Sequence, residues 1–345
     1  MDQSPNSFTQ YGNSKEPQII NLKKEYGSII SGSSSESHSV IILEKNISLA
    51  IGDNSKLQLG IGSTESTVNE FTPVKLEQNF KSVACGQDFT VWLTTEDKLF
   101  GSGLLFTQNN IPTQIENLTA KYIASYNKSF AIISDDSSVI YWPDLSNFSS
   151  TITQHFDSEP KTVSIGNGFV SVLLENHTAF IIKEDRNISP IIVPSIALKG
   201  GNLFNEVKSC ANYTAVITMQ KEVNIFGTLG EYHQKRSSIP IFDDEPLHVF
   251  TFPDYCIIID TDFRTYSFGK NDFGQMAISG VDRCYQAIAT EYKFPVKEVF
   301  GSSKSSFFVP LILNRDLVKY DPEDLIKKKK NDDLSLTIEH GNHRK

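Results

Sequence analysis

The chain has 345 residues, of which 39% are hydrophobic, and a formal net charge of −9 at pH 7. This length suits two average domains or one large all-β domain, and the apolar content is sufficient for a packed core. The acidic balance argues against nucleic-acid binding, which requires a basic surface, and against adhesion to an anionic membrane.

Neither the N-terminal segment nor the cysteines point to secretion. The first 17 residues are polar and lack the apolar run of a secretory signal, and apolar runs such as 307–313 are too short to span a bilayer. The cysteines show no metal-ligand spacing, and we expect reduced structural thiols at Cys85, Cys210, Cys256 and Cys284. We therefore predict an intracellular protein, cytoplasmic or nuclear or both, that contacts no membrane.

The first predicted strand covers residues 17–22, where the sequence is PQIINL. The same step from proline to apolar residues recurs as PVKL at 73–76 and as PTQI at 112–115, each time ahead of a pair of strands. The match indicates that the N-terminal segment belongs to the same repeated architecture as the rest of the chain.

A strand–turn–strand unit recurs seven times, and its best-preserved copy is VACGQDFTVWLTTEDKLFGSG at 83–103. The other copies begin near residues 30, 123, 163, 207, 249 and 299. Equivalent positions lie 40 to 51 residues apart, at Ser35, Gly86, Tyr126, Gly166, Cys210, Phe252 and Ser302. Seventeen residues after them come Gly52, Gly103, Gly227 and Gly269 in four copies, and Pro143, Lys183 and Lys319 in the other three. A period of this length is typical of repeat architectures.

The strands of these units are short, rich in β-branched residues and apolar almost throughout, which indicates burial on both faces. A β-sandwich would leave more one-sided strands, and a helical solenoid would require a 3.6-residue period that is absent. We therefore predict an all-β fold, a seven-bladed β-propeller built from ~40–50-residue repeats over residues 1–320. In this arrangement residues 1–22 are the closing segment, which supplies the strand that the last repeat lacks.

Two segments resemble the GxNxxGQLGxG sequence of regulator-of-chromosome-condensation repeats: GDNSKLQLGIG at 52–62 and GKNDFGQMA at 269–277. The proline–apolar step at 73–74 and the VACGxxHTxxLT-like segment at 83–94 extend the resemblance. Where the family usually has His before Ser or Thr, this chain has His38-Ser39, Phe89-Thr90, Tyr213-Thr214 and Tyr255-Cys256.

The resemblance implies a propeller fold and protein partners, and the founding activity of the family is guanine-nucleotide exchange on a small Ras-like GTPase. Because glycine permits tight turns and close approach of the backbone, we interpret the repeated glycines as structural. They are Gly52, Gly60, Gly62, Gly86, Gly103, Gly166, Gly227, Gly269 and Gly274.

Residues 321–345 form a different kind of sequence. They start like a short helix, continue with four lysines at 327–330, and then alternate Leu334, Leu336 and Ile338 like a strand. This strand resembles the opening of a BTB/POZ domain, which implies a propeller–BTB protein truncated at the start of that domain; the alternative is a polar tail. The lysines suit nuclear import or a polyanion contact, or simply a solvated helix end.

The sequence contains no phosphate-binding loop, no nucleophile elbow and no metal-ligand cluster, so we predict no catalytic residue, cofactor or metal. Long loops on a rigid scaffold usually carry binding, and the connection 228–247 is the richest in charged and aromatic residues. Its candidate partner-binding residues are Tyr232, His233, Lys235, Arg236, Asp243, Asp244 and Glu245.

The predicted function is a non-enzymatic protein-interaction propeller, either a scaffold or a substrate-recruiting adaptor of a BTB/cullin ubiquitin ligase. The alternative is a guanine-nucleotide exchange factor for a small Ras-like GTPase, supported by the family resemblance alone. Both hypotheses predict a protein partner, a small GTPase or a ubiquitin-ligase component, and no nucleic acid.

Overall fold

A computed structural model describes residues 7–12, 16–104, 106, 110–192, 202–229, 232–234, 238–239 and 244–311. These residues form seven antiparallel sheets, arranged as the seven blades of a β-propeller. The predicted all-β fold is confirmed. The helix start and the BTB-like strand predicted for residues 321–345 lie outside the described residues.

The first half of the chain folds into short strands and one 3-10 turn at Lys24–Tyr26. In chain order the strands are β1 (Ser7–Gly12), β2 (Gln18–Asn21), β3 (Ile29–Ser34), β4 (His38–Leu43), β5 (Ile47–Asp53), β6 (Thr67–Pro73), β7 (Phe80–Cys85), β8 (Phe89–Thr94), β9 (Lys98–Gly103), β10 (Thr113–Thr119), β11 (Tyr122–Tyr126), β12 (Ser129–Ile133), β13 (Val139–Trp142) and β14 (Ile152–Gln154).

The second half continues the same pattern. Its strands are β15 (Pro160–Gly166), β16 (Phe169–Leu174), β17 (Ala179–Lys183), β18 (Ile188–Pro190), β19 (Phe204–Cys210), β20 (Tyr213–Thr218), β21 (Val223–Leu229), β22 (Tyr232–Gln234), β23 (Ser238–Ile239), β24 (Pro246–Thr251), β25 (Tyr255–Asp260), β26 (Thr265–Lys270), β27 (Arg283–Ala289), β28 (Val296–Gly301) and β29 (Ser305–Pro310).

Each blade is a meander that begins with its innermost strand. Blades 1 to 4 are β3–β6, β7–β10, β11–β14 and β15–β18, blade 5 is β19–β23, and blade 6 is β24–β27. The repeat positions found in the sequence, such as Ser35 and Gly86, lie at or next to the end of each innermost strand. The predicted register of the repeat is therefore correct.

The hydrophobic core is divided among the spaces between the blades. Seven clusters of buried side chains each join two neighbouring blades, including one that joins blade 7 to blade 1. Trp92 of β8 is fully buried in one of them, and its indole Nε1–H donates to Ser48 Oγ of blade 1 at 3.0 Å. Burial on both faces explains why the second strands read as continuous apolar runs.

Blade 7 is assembled from both ends of the chain. Its strand order is β2-β1-β29-β28, so the N-terminal strands complete the sheet that the last repeat begins. Phe8 of β1 is fully buried, and its ring lies 5.8 Å from that of Phe307 and 6.2 Å from that of Phe300, measured between centroids. The closure of the ring by the N-terminal segment is confirmed, but the segment supplies two strands, β1 and the outermost β2, and not the single strand predicted.

The closure corrects one part of the repeat alignment, which gave the third-strand position of the last repeat to Lys319. That position is occupied by Gly12 of β1, which pairs with Ser305 as Gly52 pairs with His38. Gly12 has a φ of +85°, and a Cβ atom there would lie 2.0 Å from the carbonyl oxygen of Lys304. The repeated glycine is thus also present in blade 7, supplied from the other end of the chain.

Candidate functional site

The two ends of the propeller differ in their loops. At one end lie the tight turns after the innermost strands and the longer connections after the third strands; we call this end the long-loop face. Its described connections are 53–66, 143–151, 184–187, 271–282, and residues 104, 106 and 110–112. The opposite end carries the short turns between second and third strands, such as 95–97 and 219–222, and we call it the short-turn face.

Two of the long connections are braced by a buried asparagine. Asn54, 1% exposed, donates from Nδ2 to the carbonyl oxygens of Ser63 and Glu65 at 3.1 and 2.9 Å, and its Oδ1 accepts from the N–H of Leu59. Asn271 does the same in blade 6, where it donates to Ile278 and Val281 at 2.7 Å. Buried amides satisfied in this way fix the loop conformation.

A buried glutamine then joins each of these connections to the next blade. The Thr90 hydroxyl of blade 2 donates to the main-chain carbonyl oxygen of Gln58 at 2.8 Å. The side-chain Nε2 of Gln275 donates to the main-chain carbonyl oxygen of Ser303 in blade 7 at 3.0 Å. Both glutamines are at most 1% exposed. These two connections are therefore each held by two blades, which predicts that they are rigid.

The long-loop face carries most of the exposed large apolar side chains. Among the residues that the structure describes, eight such side chains are exposed, and five of them belong to the long-loop face. Leu104, Ile111, Phe148 and Phe273 lie in its connections, and Ile188 begins β18 directly after the connection 184–187. Phe148 stacks on Trp142, with 5.3 Å between ring centroids, and Lys304 Nζ lies 5.7 Å from the centre of the Phe273 ring.

The central channel contains a pocket of about 280 Å³, lined by residues of all seven blades. We call it the channel pocket. It occupies the half of the channel nearest the long-loop face. Its lining residues come from the last part of each innermost strand and from the turns that follow, and these turns lie on that face. Glu36 and Tyr126 lie at its mouth, and Lys208 and Glu298 lie deepest along their strands.

The channel pocket ends at a layer of polar side chains that reach between blades. Lys208 Nζ of blade 5 lies 3.5 Å from Tyr122 Oη of blade 3 and 4.0 Å from Glu206 Oε1. Glu206 Oε2 accepts from the N–H of Val249 in blade 6 at 2.8 Å. Glu298 of blade 7 accepts from the N–H of Gly32 in blade 1 at 3.3 Å.

These surroundings change the acidity of two charged groups. Desolvation raises the pKa of Glu298 to about 7, and the Gly32 N–H, Lys297 and Lys208 offset it only partly. Interaction with the Tyr122 phenol oxygen raises the pKa of the Lys208 ammonium, desolvation lowers it in part, and the Glu206 carboxylate raises it further. Lys208 is thus a stable cation, whereas Glu298 titrates near neutral pH.

The residues predicted from the connection 228–247 do not form one patch. Tyr232 and His233 start β22 at the long-loop end of blade 5, where they pair with Leu229 and Thr228. Asp244 lies at the opposite end, where its carboxylate is 3.5 Å from Arg264, and the Glu245 carbonyl accepts from the N–H of Thr261. The remaining candidates, Lys235, Arg236 and Asp243, lie outside the described residues.

The structural positions predicted from the repeat have clear physical roles. Gly52, Gly103, Gly227 and Gly269 have φ between +98° and +124°, and Gly60, Gly62 and Gly274 also have positive φ. A Cβ atom on Gly86 or Gly166 would overlap the ring of Phe89 or Phe169. All four cysteines are buried free thiols, and burial raises the pKa of Cys85 and Cys256 to about 12.

The channel pocket and the exposed rings of Phe148 and Phe273 were not predicted from the sequence. One signal for the pocket was available, because Glu206-Val207 and Glu298-Val299 occupy the same register in the fifth and seventh repeats. Within the described ranges, no three His, Cys, Asp or Glu residues are grouped to hold a metal ion. No helix in that part of the chain is long and apolar enough to cross a bilayer.

Comparison with known proteins supports the repeat assignment. Residues 49–93 match the model of the regulator of chromosome condensation (RCC1) repeat. No curated protein sequence matches the chain. Among solved structures, human WBSCR16 has a TM-score of 0.75 at 12% identity, and the match covers 89% of this chain and 100% of the other.

Two structures of a yeast protein are similar as well. Prp20p from Saccharomyces cerevisiae, described with its binding to Gsp1p and histones, has a TM-score of 0.72 at 12% identity, covering 95% of both chains. Yeast RCC1 (Prp20) bound to Kap60 has a TM-score of 0.72 at 11% identity, covering 94% of this chain and 92% of the other. The chain is therefore a seven-bladed propeller that carries an RCC1 repeat at residues 49–93 and shares the fold of these structures.

Proposed function

We propose that the chain is a non-enzymatic protein-interaction propeller, a scaffold or substrate-recruiting adaptor, whose long-loop face docks a protein partner. The observation that supports this most directly is the concentration of exposed large apolar side chains on that face, five of the eight in the described residues. Aromatic side chains are enriched at protein interfaces and often contribute most of their binding free energy. Phe148 and Phe273 are the strongest candidates for this role.

The rigidity of the long-loop face supports the same proposal. A surface that is already ordered loses little conformational entropy on binding, which leaves more of the contact energy for affinity. The braces at Asn54 and Asn271 provide such order in two of its connections, one of which carries Phe273. Prp20p, which has the same fold, was studied for its binding to Gsp1p and histones, so this architecture can present a protein-binding surface.

The test is affinity capture from a native extract with the full chain as bait. We expect Phe148→Ser combined with Phe273→Ser to reduce the captured protein about tenfold or more, because each ring is a potential anchor. Met219→Ser is the matched control, since Met219 is 40% exposed on the short-turn face. Equal capture by the double variant, or loss of capture in the control alone, would contradict the proposal.

A second candidate is guanine-nucleotide exchange on a small Ras-like GTPase, favoured by the RCC1 repeat and by the likeness to Prp20p, which binds Gsp1p. Such a propeller would act by stabilising the nucleotide-free GTPase, through a higher affinity for that state. Capture of a GTPase without nucleotide would favour exchange. Capture of a cullin or an unrelated client would favour the adaptor.

A further inference from the structure

The channel pocket has the size and walls expected for one long side chain. Its volume of about 280 Å³ is at or below the lower end for ligand pockets, roughly 300–1,000 Å³. Its apolar lining residues include Val299, Phe300 and the partly exposed Phe250, whose ring can contact an alkyl stem, and serines and threonines line much of the rest. The pocket opens toward the long-loop face, where we place the partner.

The charge at the end of the pocket is incompletely compensated. The Glu298 carboxylate accepts one long hydrogen bond, 3.3 Å from the Gly32 nitrogen. In the described part of the chain, no ion pair within 4.0 Å involves Glu298, and Lys208 instead faces Glu206 and Tyr122. The Glu298 side chain is only partly exposed, and a partly desolvated carboxylate with so few partners gains stability when a cation reaches it.

We propose that the channel pocket receives a cationic side chain, a lysine ammonium or an arginine guanidinium, of the docked protein, with Glu298 as its acceptor. This inference rests on the proposed function of the long-loop face. The alkyl part of the incoming side chain lies against the apolar walls, and its charged end meets the carboxylate at the bottom. A charge-assisted hydrogen bond of this kind is stronger than a neutral one.

The sign of the charge around the pocket favours a cation over an anion. Glu36 lies at the mouth beside Tyr126, and Glu298 lies at the bottom. Burial is the main cause that raises the pKa of Tyr126 above its usual range, and the charges of Glu36 and Asp254 raise it further. Lys208 is the one cation in the lining, and Glu206 balances its charge. An anionic group would therefore meet mostly negative charge.

Binding of a cation should be linked to pH. The groups that act on Glu298 are the Gly32 N–H, Lys297 on the same strand and Lys208 of blade 5. A cation binds the ionised carboxylate, and the pKa of Glu298 is about 7, so we expect affinity to increase as pH rises from 6 to about 8.

The experiment measures binding of capped amino acids to the full chain by NMR titration. The probes are N-acetyl-lysine amide and N-acetyl-arginine amide, with N-acetyl-glutamate amide and N-acetyl-norleucine amide for comparison. We expect Glu298→Gln to weaken the lysine probe about tenfold or more. Lys208→Met should increase the affinity for the lysine probe, because a competing cation is removed. Glu36→Gln is the matched control at the mouth of the pocket, and we expect it to change the affinity less than Glu298→Gln does.

Three results would overturn the inference. The first is unchanged affinity for the lysine probe in Glu298→Gln, and the second is a higher affinity for the glutamate probe than for the lysine probe. The third is tighter binding of butylamine than of the lysine probe, which would point to a free amine as the ligand.

Failure of this inference can be distinguished from failure of the proposed function. If Glu298→Gln captures the partner as well as wild type while the Phe148 and Phe273 variant does not, the long-loop face docks the partner and the side-chain insertion is wrong.

Discussion

The second strand of blade 1 carries His38, a buried histidine that bonds to the next blade. Its Nε2 lies 2.8 Å from Thr90 Oγ1 and its Nδ1 lies 2.9 Å from Ser35 Oγ. Because the single Thr90 hydroxyl proton is donated to the Gln58 carbonyl, His38 Nε2–H is the donor. Tyr213 and Tyr255 occupy the same repeat position and also reach the following blade.

This arrangement predicts a dependence of stability on pH. Desolvation lowers the pKa of His38 to about 4, although the negative charge of Asp53 acts to raise it. In the unfolded chain the pKa of a histidine is near 6.5. Between these values the unfolded chain binds a proton that the folded chain does not. The contribution of His38 to the free energy of unfolding is therefore fully present above pH 6.5 and is lost as pH falls toward 4. The total loss is about 3 kcal/mol.

The measurement is denaturant unfolding of wild type and of His38→Gln between pH 4 and pH 7.5. We expect the variant to be destabilised most at pH 7 and the difference to shrink as pH falls. Glu298, with a raised pKa of about 7, acts in the opposite direction, but it is present in both proteins and cancels in the comparison. A difference that stays constant with pH would contradict the assignment.

At the scale of the blade, the third strands depend on the repeated glycine. Gly103 in β9 has a φ of +105°, and a Cβ atom there would lie 2.2 Å from the Asp88 carbonyl oxygen. Gly103→Val should therefore disrupt blade 2 and destabilise the protein by about 3 kcal/mol or more.

The matched control for Gly103→Val is Gly280→Ala. Gly280 also has a positive φ, +69°, but no atom lies within 4 Å of a Cβ placed there. We expect Gly280→Ala to lower the free energy of unfolding by about 1 kcal/mol, from backbone strain alone. Thermal and denaturant unfolding measure the stability of both variants. Soluble Gly103→Val protein with wild-type stability would show that the close approach of strand and carbonyl is not required.

The strands could be predicted from sequence because their signals are local. Apolar β-branched runs and the glycine spacing depend only on neighbouring residues, so they survive in the best-preserved repeats. The alignment of Lys319 failed because blade 7 takes its third strand from the other end of the chain, where Gly12 stands. A linear search for repeats does not detect that exchange.

The candidate site was harder to predict because it exists only in the closed ring. Glu298 precedes a valine in a strand whose sequence looks half-exposed, and the groups that act on its carboxylate include Gly32 of blade 1 and Lys208 of blade 5, which are distant in the sequence. The loop 228–247 was selected by composition, yet its described residues lie at two opposite ends of the molecule. Composition does not tell which face of a propeller a loop residue reaches.

The whole molecule is a single ring closed by the N-terminal strands. The rigid long-loop face and the channel pocket both require that closure, since the pocket is lined by all seven blades. β1 buries Phe8 between blades 7 and 1, and Tyr11 contacts Phe308 with 5.2 Å between ring centroids. Removing one buried aromatic side chain alone typically costs about 3–5 kcal/mol.

The most direct test is therefore deletion of residues 1–22, with deletion of residues 1–6 as the control that leaves β1 intact. We expect the longer deletion to lower the melting temperature by at least about 10 °C, because two strands of blade 7 and part of two interblade cores are lost. The control should stay close to wild type. An unchanged melting temperature after deletion of residues 1–22 would contradict the closed ring.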